Sequence, residues 1–141
     1  MRLRPGLTVT PPPTVRRALE QIFGADASLG EVKVIERSLL ARLHVRAIAA
    51  TRRRRIYLRG GAADFFDDPV LMLHEYCHVL LQWEPGSLTV LGYLAECARR
   101  GYRRNRFEVE ARAFADRHAP RLRRLLTASR EETPDGTGAR R

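Results

Sequence analysis

The densest run of apolar side chains covers residues 69–83, in the middle of the chain. Drawn as a helix, this segment is apolar on nearly every side, at Val70, Leu71, Leu73, Tyr76, Val79, Leu80, Leu81 and Trp83. Asp67, Asp68 and Pro69 are typical of a helix N-terminus, and neither Gly nor Pro occurs again until Pro85. The pattern therefore predicts a helix of about four turns that is buried in the middle of a domain.

Before this central helix, the pattern predicts one short helix and a small sheet. A helix capped by Thr14 runs to about Phe23 and places its apolar residues on one face, with Gly24 as its end. Three segments rich in β-branched or aromatic residues then follow, at residues 32–36, 43–50 and 55–59. We interpret these three segments as strands.

After the central helix, two more helices are predicted. The first is capped by Ser87 and ends at Gly101, and its apolar residues recur at helical spacing, at Leu88, Leu91, Leu94, Ala95 and Ala98. This face is expected to pack on the central helix. The second begins near Asn105 and bends at Pro120. Residues 129–141 have few apolar side chains and are expected to be disordered.

These elements predict an α+β fold in one domain. At 141 residues the chain has room for a single modest core. We expect an N-terminal arm at residues 1–13, a domain at 14–128 and a basic tail at 129–141. Within the domain, a sheet of about three strands would pack on the central helix, joined by two or three further helices.

The net charge of +10 is unevenly distributed. Residues 1–59 hold thirteen basic and four acidic side chains (+9), residues 60–98 hold six acids and no Lys or Arg (−6), and residues 99–141 hold thirteen Arg and six acids (+7). The basic ends would allow weak, non-specific contact with nucleic acid. No aromatic residues lie between the arginines of residues 52–55, so a dedicated nucleic-acid site is not indicated.

Targeting signals and cysteines indicate where the protein works. Residues 1–13 lack the apolar core of a secretory signal, and no stretch has the run of about 18 apolar residues that spans a membrane. Cys77 and Cys97 are expected to be reduced thiols, with Cys77 a small core residue rather than a metal ligand. We therefore expect a soluble, cytoplasmic protein. Its oligomeric state does not follow from the sequence.

The central helix carries an H-E-x-x-H motif, residues 74–78. Histidines four residues apart lie one above the other on a helix, so His74 and His78 could bind one zinc ion. Glu75 could then act as the general base for the water that attacks a peptide bond. The alternative is a pair of hydrogen-bonded core histidines beside a solvent-facing Glu75. That alternative must explain three polar groups on an otherwise apolar helix, which would be costly without partners.

A catalytic zinc site usually has three protein ligands, so a third donor is needed. The candidates are His44, Glu96, Glu108, Glu110 and His118. Glu108 lies on the first turn of the last helix, and Ala111 and Ala115 on the same face would let that helix approach closely. Glu110 points away from that face. Glu108 could equally form a capping box with Asn105, since the two are three residues apart.

At this point the chain resembles a known family. His74-Glu-Tyr-Cys-His78, followed by Glu108-Val-Glu-Ala, is similar to the glutamate-type zinc metallopeptidases, or gluzincins. Small bacterial ImmA/IrrE-type peptidases and the H-E-x-x-H domains associated with contractile injection systems are the most similar in character. The resemblance spans roughly residues 55–118 and implies a minimal zincin-like fold. It also implies zinc bound by His74, His78 and Glu108, and peptide hydrolysis with Glu75 as the general base.

The chain departs from this family at one position. Arg112 stands where many members have an Asp or Asn that can accept a hydrogen bond from a ligand histidine. Asp64, Asp116 or a backbone carbonyl could substitute for it. This departure bears on activity more than on zinc binding, and the alternative function is a zinc-binding or inactive, metal-free interaction module. Such a module could contact nucleic acid or DNA-bound proteins through the Arg-rich ends. The oxyanion-stabilising residue stays open between Tyr93, Tyr102 and His118.

Overall fold

The computed structural model describes residues 6–38 and 54–132, which form a mixed α and β structure. Its strands are β1 (Leu7–Val9), β2 (Lys33–Glu36) and β3 (Arg55–Tyr57). Its α-helices are α1 (Pro13–Phe23), α2 (Ala62–Phe66), α3 (Pro69–Cys77), α4 (Val90–Arg100) and α5 (Arg106–Glu131). The coarse prediction of a small sheet with several helices is therefore confirmed. None of the helices in these described ranges is both long enough and apolar enough to cross a lipid bilayer.

The sheet has β2 in its centre, antiparallel to β1 and parallel to β3. The predicted strands at 32–36 and 55–59 are confirmed with slightly shorter bounds, whereas the segment 43–50 lies outside the described residues. The third strand, β1, comes instead from the predicted N-terminal arm. A Cβ at Gly6 would lie 2.6 Å from the Glu36 carbonyl oxygen, so glycine is needed where the arm meets β2.

The central helix begins as predicted at Pro69. The Asp68 carboxylate caps it by accepting a hydrogen bond from the Leu71 amide at 3.0 Å. From His78 the α3 helix continues as a π-helical turn, His78–Trp83, in which the Glu84 amide bonds the Val79 carbonyl five residues back at 3.0 Å. Such wider turns are rare in proteins, and many of those that occur lie at functional sites. The apolar pattern predicted the length of this helical run but not its change of winding.

The core forms where α3 packs against α5, and it includes buried residues of α1 and the sheet. Met72 and Leu73 of α3 are completely buried. The facing surface of α5 is made of the small residues Ala111, Ala115 and Ala119, which expose no more than 2% of their surface. Small side chains let the two helix axes approach closely, as the sequence predicted for Ala111 and Ala115.

The last helix extends further than predicted. It is one helix of 26 residues that includes Pro120, and it runs through Glu131 into the predicted tail. A proline removes one backbone hydrogen bond, to the carbonyl four residues earlier. Pro120 is solvent-exposed, while the neighbouring Ala119 and Leu122 are buried against the core and hold the helix together.

The packing face predicted for α4 is wrong. Leu91 and Leu94 expose 81% and 45% of their surface, whereas Tyr93 and Glu96 are buried. Tyr93 joins a second small core with Leu88 and Phe107. The cap is Thr89 rather than Ser87, because the Thr89 hydroxyl accepts a hydrogen bond from the Gly92 amide. The face of this helix that carries Leu91 and Leu94 is therefore directed to solvent, and the face that carries Tyr93 and Glu96 points inward.

Asn105 fixes the start of α5 and ties it to α4. Its side chain accepts a hydrogen bond from the Phe107 amide at 3.0 Å and donates to the Tyr93 carbonyl at 3.2 Å, and none of its surface is exposed. Because both a helix cap and a buried carbonyl partner would be lost, Asn105→Ala should lower the free energy of unfolding by roughly 2 to 4 kcal/mol.

Chemical denaturation of the variant measures this loss. The control is Thr89→Ala, which removes only the exposed cap of α4 and should cost about 1 kcal/mol. Equal losses in the two variants would contradict a role for Asn105 beyond capping.

Candidate metal centre

Three donor atoms from α3, the π-helical turn and α5 converge on one point. The Nε2 atoms of His74 and His78 lie 3.1 Å apart. One carboxylate oxygen of Glu108, Oε2, lies 3.0 Å from His74 Nε2 and 3.4 Å from His78 Nε2. These residues form a group that could hold a metal ion, and it includes all three ligands that the sequence proposed.

The local structure explains this convergence. His74 and His78 are one helical turn apart, and their rings meet edge to face with centroids 4.7 Å apart. Glu108 lies on the first turn of α5, where Ala111 and Ala115 bring that helix close to α3. The centre is therefore built where α3 and its π-helical turn pack against the start of α5.

The donor set fits zinc. Two imidazole nitrogens and one carboxylate oxygen are ligands that Zn²⁺ prefers, at 2.0–2.2 Å and in tetrahedral geometry. Two donors of a tetrahedron of that size lie about 3.3 Å from each other. The observed separations of 3.0, 3.1 and 3.4 Å match that value. His74, His78 and Glu108 would therefore need little rearrangement to hold the ion.

Glu108 is held in place by α4. The Tyr93 hydroxyl donates a hydrogen bond to the second carboxylate oxygen, Oε1, at 2.9 Å, which leaves Oε2 for the histidines. Burial alone would raise the pKa of Glu108, but hydrogen bonds from His74, His78 and Tyr93 hold that pKa well below its usual range. Burial and the nearby carboxylate raise the pKa of Tyr93, so its hydroxyl stays protonated as a donor.

The capping-box alternative for Glu108 is not formed. Asn105 caps the Phe107 amide, and the Asn105 amide itself bonds the Tyr102 carbonyl rather than Glu108. Both Glu108 oxygens bond to histidine or tyrosine side chains instead. The two histidines are within hydrogen-bond distance of each other, as the alternative interpretation expected. They also contact the Glu108 carboxylate, which that interpretation did not include.

His78 is held from behind by Gln82, a residue that the sequence analysis did not identify. Gln82 Oε1 lies 2.6 Å from His78 Nδ1, and only 3% of Gln82 is exposed. Burial alone would lower the pKa of His78, but the bond and charge of Glu108 raise it. The spacing along the chain could have indicated this contact, because Gln82 lies four residues after His78 and thus on the same side of a helix.

The two acids proposed as hydrogen-bond acceptors for the histidines do not contact them. Asp64 and Asp116 are exposed. Arg112 donates a hydrogen bond to the Arg103 carbonyl, away from the histidines. Gln82 therefore supplies the acceptor for His78 from the helix of the motif itself.

Glu75 lies beside this cluster at the edge of a cleft. It is half-buried, and no hydrogen bond or ion pair joins its carboxylate to another residue within 6–38 and 54–132. The cleft runs between the end of β3 and the first half of the central helix. Its lining consists of Tyr57, Leu58, Arg59, Gly60, Gly61, Asp64, Phe65, Asp68, Leu71 and Glu75. The carboxylate of Glu75 is thus accessible to a molecule in the cleft.

The other candidate residues lie elsewhere. Glu96 accepts a hydrogen bond from the Arg106 amide at the start of α5, and His118 packs on the Phe114 ring with centroids 4.4 Å apart. Tyr102 is exposed at 46%, and His44 lies outside the described residues. Cys77 is buried, and burial followed by the charge of Glu110 raises its pKa to about 12, which disfavours the thiolate that a metal would need.

No protein-family model, curated protein or solved structure matches this chain.

Proposed function

We propose that this protein is a zinc-dependent peptide-bond hydrolase with His74, His78 and Glu108 as its metal ligands. The observation that carries the proposal is the convergence of these three donors at the spacing of a tetrahedral zinc site, next to a carboxylate on the same helix. The glutamate-type metallopeptidases that the motifs resemble use this arrangement. A cytoplasmic location remains an expectation from the sequence.

The residues around the centre have separate roles in this proposal. A zinc ion held here would supply a Lewis acid that acidifies water and polarises a peptide carbonyl. Glu75 accepts the proton of the water molecule as its oxygen attacks the carbonyl carbon. The C–N bond then breaks, and Glu75 passes the proton to the leaving amine. Tyr93 keeps Glu108 in its ligand position and is therefore not free to stabilise the oxyanion.

The substrate is a peptide in extended conformation. Within the part of the chain that the structure describes, β3 pairs with a strand on one side only, and its C-terminal end borders the cleft beside Glu75. An extended segment can pair with such a strand edge through main-chain hydrogen bonds. Tyr57 of β3 and Glu75 both line the cleft, so a peptide paired with β3 would extend toward the base.

Metal analysis tests the proposal directly. The protein should purify with, or take up, about one zinc ion per chain, because three donors on packed helices form a nearly complete site. Zinc should also raise the temperature of unfolding, since it binds only the folded protein. Mass spectrometry of a defined peptide mixture should show cleavage that a chelator stops and added zinc restores.

Two results would contradict different parts of the proposal. Failure to take up zinc would end both the metal centre and the enzyme. Zinc binding without cleavage of any peptide or unfolded protein would instead favour the inactive, zinc-binding interaction module.

A further inference from the structure

Gln82 is the most buried polar side chain in contact with the metal centre, and it bonds on both sides. One end of its amide, Oε1, lies 2.6 Å from His78 Nδ1. The other end, Nε2, lies 3.0 Å from the Phe107 carbonyl oxygen and 3.3 Å from a carboxylate oxygen of Glu110. The side chain therefore bridges the π-helical turn and the first turn of α5.

These contacts leave one orientation for the amide. The end that faces Phe107 and Glu110 has two acceptors before it, so it must be the NH₂ group. The carbonyl oxygen then faces His78, where it can only accept a hydrogen bond. His78 must therefore carry a proton on Nδ1, which leaves Nε2 as the ring atom that faces His74 and Glu108 and would bind the metal.

We propose that Gln82 is a positioning residue of the metal centre, fixing the Nδ1–H tautomer of His78 so that Nε2 faces the metal. The inference rests on the proposed function, because it assumes that the centre binds zinc.

If the role of Gln82 were purely structural, position 82 would tolerate different substitutions from those that a hydrogen-bond acceptor for His78 would. A buried amide is costly unless all its bonds are made, and an apolar side chain of the same length would fill the space. If Gln82 only fills space, methionine should serve there and a buried carboxylate should not. If it acts as an acceptor for His78, glutamate should serve and methionine should not.

The test compares the zinc affinity of Gln82→Met and Gln82→Glu, measured by competition with a chromophoric chelator. Loss of the acceptor should weaken zinc binding about 10- to 100-fold in Gln82→Met. Gln82→Glu keeps an acceptor for His78 and should bind zinc within about threefold of the unchanged protein, or more tightly. The visible spectrum of bound Co²⁺ should follow the same order, being altered in the Met variant and retained in the Glu variant.

Gln21→Met is the matched control, because it changes the chain's other glutamine, which is exposed on α1. Its zinc affinity should be unchanged. Circular dichroism shows which variants fold, and either Gln82 variant decides the question alone. Unchanged zinc binding in Gln82→Met, or a tenfold loss in folded Gln82→Glu, would overturn the inference. Absence of zinc binding in the unchanged protein would instead contradict the proposed function, and the inference with it.

Discussion

Replacing Glu75 by Gln is expected to lower peptide hydrolysis at least about 100-fold and to leave the zinc content unchanged. The amide has the shape of the carboxylate but cannot take up the proton of the attacking water. Glu75 is not among the three converging donors, so the metal should stay bound. Product formation by mass spectrometry and zinc content by elemental analysis measure the two effects separately.

Asp64→Asn is the matched control for this substitution. It also converts an acid of the same cleft to its amide, but Asp64 is exposed and lies on α2 rather than on the helix of the motif. Its effect on the rate should be small. If Glu75→Gln lost its zinc, Glu75 would be a ligand or a structural residue, and its assignment as the base would be wrong.

Replacing Glu108 by Ala is expected to weaken zinc binding more than about 100-fold, because one of three ligands is removed and the remaining two lie on a single helix. Glu108 also supplies the negative charge of the centre, which both histidines contact. Competition with a chelator of known affinity measures the change, and circular dichroism checks that the variant folds.

Glu110→Ala provides the comparison within the same helix. Glu110 is exposed and accepts a hydrogen bond from the Gln82 amide nitrogen at 3.3 Å, and the Phe107 carbonyl accepts from the same nitrogen. Its zinc affinity should change less than about threefold. Equal losses for Glu108 and Glu110 would mean that the roles of the two acids are misassigned. Normal zinc binding in Glu108→Ala would show that Glu108 is not a metal ligand.

The site could be predicted from the sequence where it depended on spacing along one helix. The four-residue interval between His74 and His78 places both rings on one side of any helix, whatever surrounds it. Glu108 was harder to assign, since the sequence allowed a capping role as well. The choice rested on small residues at Ala111 and Ala115, and the structure buries both of them completely.

Supporting residues were missed because their roles depend on tertiary contacts. Tyr93 lies on a helix whose apolar pattern suggested that Leu91 and Leu94 would face inward. In the structure Tyr93 is buried instead and donates a hydrogen bond to Glu108, while both leucines are exposed. Gln82 is a single polar residue in an apolar run. Its partners, Phe107 and Glu110, are more than 20 residues away in sequence.

The sequence by itself determined the central helix, the strands β2 and β3, and the two histidines with their neighbouring glutamate. These features follow from local periodicity and from capping residues, which act over a few positions of the chain. The tertiary structure alone decided that residues 7–9 complete the sheet, that α4 turns Tyr93 inward, and that the helix widens into a π-turn at His78. It also decided which groups hold the ligands from behind, because a buried polar atom must find its partner wherever the packed helices bring one within reach.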